Sequence, residues 1–256
     1  MKILCVSDQI DPLVYSTTVK DRYKDIDAVF CAGDLSLEYV DYIVSALSKP
    51  TYFIFGNHNL TDFEYYHKDI FKTAPEIPSS SLDNMEKGHG GDYAGRKVIA
   101  SKKLFFTLPD GKKTPLLIAG LSGSIKYNGG QAQYSERQMK HQIRRMIPRL
   151  LWNKIKYGRY LDIFLTHATP RHIHDKEDPC HKGFECYNWF IKKFKPSLMT
   201  HGHIHLYDQS EERVSVSGDT TIVNAYSHIV VDIQEKPVKD SKGDNFGTVV
   251  SILSDR

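Results

Sequence analysis

Three continuous apolar runs near the start of this chain each stop at residues carrying oxygen or imidazole donors. Residues 3–6 give way to Ser7-Asp8-Gln9-Ile10, residues 28–32 to Gly33-Asp34, and residues 52–55 to Gly56-Asn57-His58-Asn59. Runs of this kind, lacking polar alternation, belong to strands buried on both faces. Between the second and third, Leu37, Val40, Val44 and Leu47 recur at helical spacing until Lys49-Pro50 stops the helix. The start of the chain therefore reads as β-α-β-α-β. Consecutive parallel strands send their polar ends to one carboxyl edge, where open α/β sheets bind ligands.

The pattern changes later in the chain. Apolar runs at 104–108, 116–121 and 161–166 are followed by short strands at 214–216, 221–224 and 229–233 with no helices between them. Early alternation and late strands predict two stacked sheets flanked by helices. With 256 residues, 40% of them hydrophobic and 25% charged, residues 1–256 read as one domain with a full core. Residues 74–95, rich in Pro, Ser and Gly, read as a long loop of the kind that carries function or moves.

Two more donor blocks lie in the second half, Thr166-His167 and Thr200-His201-Gly202-His203-Ile204-His205. On an extended chain His203 and His205 would point to the same side. A carboxylate at the end of a buried strand needs a cation or several hydrogen bonds. Asp8 alone has a plain alternative as a helix cap or loop anchor, and Asp34 has the same one. Several strands ending alike favour one shared metal cage instead.

The remaining composition narrows the function. No stretch approaches the roughly 18–20 apolar residues of a membrane span, and Met1-Lys2-Ile3 runs straight into a strand, so the expected location is cytoplasmic. Cys5, Cys31, Cys180 and Cys186 form no C-x-x-C pair, and disulfides are not expected. A formal charge of +3 is too mild to argue for nucleic acid.

A basic helical segment covers about 135–158. Ser135-x-x-Gln138 has the form of a capping box, Met139, Ile143, Met146, Ile147, Leu150 and Leu151 make one stripe, and Pro148 is expected to kink or divide the helix. Arg137, Lys140, Arg144, Arg145, Arg149, Lys154, Lys156 and Arg159 crowd the other face. A charged face is usually a solvated one; the sharper reading is a funnel for anionic substrate or a docking surface for an acidic partner. No aromatic platform or recognised module accompanies this charge, so nucleic-acid binding is not expected.

Asp8, Gly33-Asp34, Gly56-Asn57-His58, His167 and Gly202-His203-Ile204-His205 resemble, in order and approximate spacing, the motif series of the calcineurin-like metallophosphoesterases. The stretches Gly120-Leu121-Ser122-Gly123-Ser124-Ile125-Lys126-Tyr127-Asn128-Gly129-Gly130 and Ile173-His174-Asp175 look like a bacterial branch of that superfamily. The resemblance implies a four-layer α/β/β/α sandwich of two mixed sheets, with two divalent metals between the sheet edges. It implies that Asp34 bridges the metals, that Asn57, His167 and His203 complete the second site, and that Asp8 and His205 belong to the first. A metal-activated hydroxide would attack phosphorus in a small phosphorylated substrate, monoester or diester. Asn57 would help neutralise the phosphoryl oxygens, and His58 would stabilise charge or protonate the leaving oxygen.

Two positions depart from the family. The usual histidine two residues after the first aspartate is Ile10, which weakens the first site; on a strand Asp8 and Ile10 would share a face, leaving Asp11 or water as a substitute. The retained donors suit Mn²⁺, Fe²⁺ or Zn²⁺. Asn59 replaces a frequent acidic residue. The lost donor at Ile10 argues for a rival reading, a non-catalytic scaffold or binding protein, and retention of His58 argues against it. A phosphoprotein phosphatase is a narrower rival. Ile173-His174-Asp175 and His181 read first as a solvated polar loop before a helix at 183–194, and second as substrate contacts.

Overall fold

A computed structural model describes residues 1–60, 63–67, 90–108, 110–208, 210–240 and 243–254. Most of the long loop expected at 74–95 lies outside these residues; at its end, Asp92–Tyr93 is a short strand rather than loop. The elements in chain order are β1 (Lys2–Ser7), α1 (Val19–Arg22), β2 (Ala28–Cys31), α2 (Leu37–Leu47), β3 (Thr51–Phe53), α3 (Phe63–Tyr66), β4 (Asp92–Tyr93), β5 (Lys97–Thr107), β6 (Lys113–Leu121), β7 (Ser124–Ile125), β8 (Gln133–Tyr134), α4 (Glu136–Tyr157), β9 (Ile163–Thr166), α5 (Glu185–Phe194), β10 (Leu198–His201), β11 (Val214–Ser217), β12 (Thr220–Asn224), β13 (Ser227–Asp240) and β14 (Gly243–Ser254).

Two mixed six-stranded sheets result, ordered β14-β13-β1-β2-β3-β4 and β11-β12-β10-β9-β6-β5. In the first sheet β1, β2, β3 and β4 run parallel. In the second, β6, β9, β10 and β12 do. Alternation of side chains across these strands builds three apolar layers. Ile3, Cys5, Phe30 and Tyr52 meet Leu116, Ile118, Ile163 and Leu198 between the sheets. Leu4, Val6, Val29 and Cys31 pack under Tyr39, Val40, Ile43 and Leu47 of α2. Leu117, Phe164 and Met199 pack under Met139, Ile143, Met146 and Leu150 of α4 and Tyr187, Phe190 and Phe194 of α5. The layers stack as α/β/β/α, and burial on both faces is why β1, β2 and β9 are continuously apolar.

Helix α4 opens with the expected capping box, Gln138 N–H donating to Ser135 Oγ and Ser135 N–H to Gln138 Oε1 at 2.8 Å. It then runs unbroken for 22 residues, so Pro148 does not divide it. The proline deprives only the Arg144 carbonyl of its donor, and both residues lie at the surface, where water can replace the lost bond. Its stripe is narrower than expected, because Leu151 is exposed beside Trp152 and Ile155. The expected helix at 183–194 begins at Glu185. No helix among the described residues is long and apolar enough to cross a membrane.

Candidate metal centre

The carboxyl ends of parallel strands in both sheets converge, and five of these strands deliver a donor shortly after the last paired residue. Asp8 follows β1, Asp34 follows β2, Asn57 follows β3, His167 follows β9 and His203 follows β10. Asp8 (φ 65°), Asp34 (φ 55°) and His203 (φ 68°) all have left-handed backbone. Such conformations are uncommon outside glycine, although Asp, Asn and His adopt them most readily, and they cluster at functional sites. This corrects two expectations of geometry. Asp8 and Ile10 do not share a strand face, since β1 ends at Ser7 and the chain turns there. His203 and His205 are not on extended chain, since β10 ends at His201 and His203 turns left-handed.

Close approach of these turns requires glycine. A Cβ at Gly56 would fall on the Asp34 carboxylate, and one at Gly202 on the Ser7 hydroxyl and the Asp8 carboxylate. With neither present, Asp34 Oδ1 accepts from the His58 N–H at 2.7 Å, and both Asp8 oxygens accept from the His203 N–H at 3.0 Å. Each carboxylate is thus held by the turn of another strand.

His167 lies fully buried at the centre. Its Nδ1 donates to the Ala32 carbonyl at 2.9 Å, which leaves Nε2 facing Asn57 Oδ1 at 3.2 Å and Asp34 Oδ2 at 3.3 Å. His203 Nε2 donates to the Cys180 carbonyl at 2.7 Å, leaving Nδ1 as its potential ligand atom. Ligand atoms of Asp34, His167 and His203 lie within 4.8 Å of one another. A backbone carbonyl that fixes the imidazole tautomer is the usual support of a metal-ligating histidine. One carboxylate, two oriented imidazoles and the Asn57 amide oxygen therefore fit a hard or borderline divalent cation.

Charge is balanced within the cluster. Burial alone would raise the Asp34 carboxyl, but the His167 imidazole beside it and the His58 N–H outweigh that and hold it well below the usual carboxylate range. Burial alone would strip His167 of its proton, but Asp34, with Asp8 further off, raises it to about 9. His203 is pushed below the usual imidazole range, by burial and then by the charge on His167. Near neutral pH a cation binding His167 must therefore displace a proton. Apparent metal affinity is expected to climb about tenfold per pH unit below about 9 and to flatten above it. A chelator-competition titration across that range checks this; a flat profile would show that binding displaces no proton from His167.

The donors expected at the first site are looser. The Asp8 side chain is wholly buried, but His205 Nε2 lies 3.7 Å from Asp8 Oδ1 with 40% of its side chain exposed, and its Nδ1 pairs with the Tyr207 hydroxyl. Ile10 is 52% exposed. Asp11 does not replace the missing donor: its carboxylate is held by His228 Nδ1 at 2.6 Å, the Ser227 hydroxyl and the Leu13 N–H.

The His174 segment is not a plain solvated loop. His201 Nδ1 donates to the Gly202 carbonyl, so its Nε2 accepts from His174 Nδ1, and His174 Nε2 in turn accepts from the Ser215 hydroxyl, each at 2.9 Å. Burial lowers the pKa of both rings, keeping this relay neutral behind the His203 turn. Asp175 is bound to Arg171 and the Gly183 N–H. Nothing in the sequence pattern gives His201 a role; its buttressing is visible only once β10, β11 and the loop meet. The carbonyls of Ala32 and Cys180 have no side-chain signature to find.

The family model for calcineurin-like phosphoesterases matches residues 1–207. The chain belongs to that family. The protein TT1561 of Thermus thermophilus matches with a TM-score of 0.55 at 14% identity, covering 88% of this chain and 89% of that one. A second solved structure matches with a TM-score of 0.57 at 12% identity over 99% of each chain. At such identities the likeness is one of fold. No curated protein matches the chain in sequence.

Proposed function

We propose that the chain is a metal-dependent phosphoester hydrolase acting on a small phosphorylated substrate, as a phosphodiesterase or phosphomonoesterase. The observation that carries this reading is the buried Asp34–His167–His203 cluster with both imidazoles oriented by backbone carbonyls. Asp34, Asn57, His167 and His203 would hold one divalent cation, and Asp8, Asp34 and His205 a second, with Mn²⁺, Zn²⁺ or Fe²⁺ suited to these donors. Bound cations would supply Lewis acidity, making water nucleophilic near neutral pH and offsetting phosphoryl charge. The chain's own groups do the rest. The Asn57 amide is held against His167 and would orient a phosphoryl oxygen, and the exposed His58 imidazole would give a proton to the leaving oxygen.

The test is turnover of bis(p-nitrophenyl) phosphate and p-nitrophenyl phosphate by protein loaded with each metal in turn, with metal content measured in parallel. Hydrolysis of either ester supports the reading. The exposed Ile10 favours a second one, a non-catalytic scaffold, which takes its place if loaded protein turns over neither ester and His58→Ala changes nothing. The two sites are also expected to fill in order. Asp34, Asn57, His167 and His203 lie close together and buried, whereas the first site depends on His205, whose side chain is 40% exposed, so the second site should load first in a stepwise titration. Loading of the first site alone would overturn that order.

A further inference from the structure

A second cluster of donors stands beside the centre. Asp178, Cys180 and His181 bring a carboxylate oxygen, a thiol and an imidazole nitrogen within 4.8 Å of one another. Cys180 Sγ lies 2.8 Å from Asp178 Oδ1 and 3.5 Å from His181 Nδ1, and His181 Nδ1 lies 2.9 Å from the same oxygen. We propose that these three side chains form a separate binding site for a thiophilic divalent cation of the zinc type.

The donor chemistry selects the ion. A thiolate, an imidazole and a carboxylate together suit zinc or cobalt rather than magnesium or calcium, and three protein ligands leave a fourth tetrahedral position for water. Ligands around such an ion stand about 3.3–3.8 Å apart, so these donors need to spread by less than about 1 Å to admit it. The segment is already folded for it, since the N–H groups of Cys180 and His181 both donate to Asp178 Oδ1 at 3.2 Å. Access is open. Cys5, Cys31 and Cys186 are buried, whereas Cys180 is part-exposed, with 42% of the Asp178 and 35% of the His181 side chain in solvent. Loading breaks the S–H bond and releases its proton to solvent, while the imidazole proton moves from Nδ1 to Nε2 as Nδ1 takes the ion.

The position couples the site to its neighbour. The Cys180 carbonyl is the acceptor that orients His203, and the His181 ring lies 5.4 Å from the His203 ring. An ion held at Cys180 therefore grips the same residue that fixes a ligand of the main cluster. The two sites remain chemically distinct, because no donor assigned to the main cluster is sulfur.

Cobalt separates them in one experiment, which does not depend on hydrolytic activity. Metal-free protein titrated with Co²⁺ should develop a sulfur-to-cobalt charge-transfer absorption, absent from Cys180→Ser protein whose circular dichroism matches wild type. Asp178→Asn keeps the thiol and should raise the cobalt concentration for half-development by at least the roughly tenfold that losing even an outer partner costs. No sulfur absorption in wild type, its persistence in Cys180→Ser, or an unchanged midpoint in Asp178→Asn each overturns the proposal.

Discussion

Asp34→Asn is expected to leave a folded chain that retains metal at neither site and hydrolyses phosphoesters no faster than a blank. The amide keeps an oxygen for the His58 N–H, and the bond from Asn59 Nδ2 goes to the Asp34 backbone carbonyl, so the turn after β2 keeps its anchors. What disappears is the charge. On the proposed reading Asp34 is the carboxylate that would serve both sites, and it is the largest influence holding a proton on His167. Removing it lets His167 go neutral instead of stranding a buried cation, so the stability loss should stay below the about 3–5 kcal/mol of a broken buried ion pair. Affinity for metal should fall by more than the roughly 100-fold that an outer partner commands. Elemental analysis and the two nitrophenyl esters check both halves. Wild-type metal content in the variant would show that the cluster does not depend on Asp34 as a ligand.

Much of the fold was legible because burial on two faces writes itself plainly into short strands. β1, β2 and β9 emerge as apolar runs, and α2 as a stripe ending at Lys49-Pro50. Where a strand lacks that signature, pattern fails. The apolar run at 52–55 overshoots β3, which ends at Phe53, since Ile54 and Phe55 still pack in the core after pairing stops. Only the last part of β5 was read as a strand, because its register shifts between Ala100 and Phe105 and the exposed Lys102 and Lys103 at the irregularity cut Val98, Ile99 and Ala100 off from the later run. β14 went unseen as an edge strand with Val249 and Leu253 exposed, so its two faces are poorly contrasted.

At the site, the donors were legible as residue types at strand ends, and their convergence follows from parallel topology. The manner of convergence was not legible. Periodicity assumes extended backbone, whereas Asp8, Asp34 and His203 all turn left-handed. Asp11 seemed available because it lies one residue beyond Ile10, yet its imidazole partner His228 is 217 residues away in sequence. Long-range partners of this kind arise from sheet order: β13 pairs with β1, bringing Ser227 opposite Ser7 and His228 opposite Val6.

His58→Ala is expected to separate chemistry from metal binding. Only the backbone N–H of His58 is bonded to Asp34, at 2.7 Å, and the residue is exposed, so alanine removes the imidazole and leaves that bond in place. Metal content should therefore match wild type, while kcat falls by roughly the 10²–10⁴-fold typical of a general acid–base group. The size of the loss should also depend on the ester. A nitrophenolate departs without needing a proton, whereas an alkoxide needs one in the transition state, so the variant should lose far more activity on an alkyl phosphoester than on a nitrophenyl one. Equal losses on both would place His58 in charge stabilisation of the phosphoryl group rather than in proton transfer. Loss of metal together with activity would instead make the imidazole part of the cation's own shell, contrary to the geometry in which only the peptide of His58 reaches the Asp34 carboxylate.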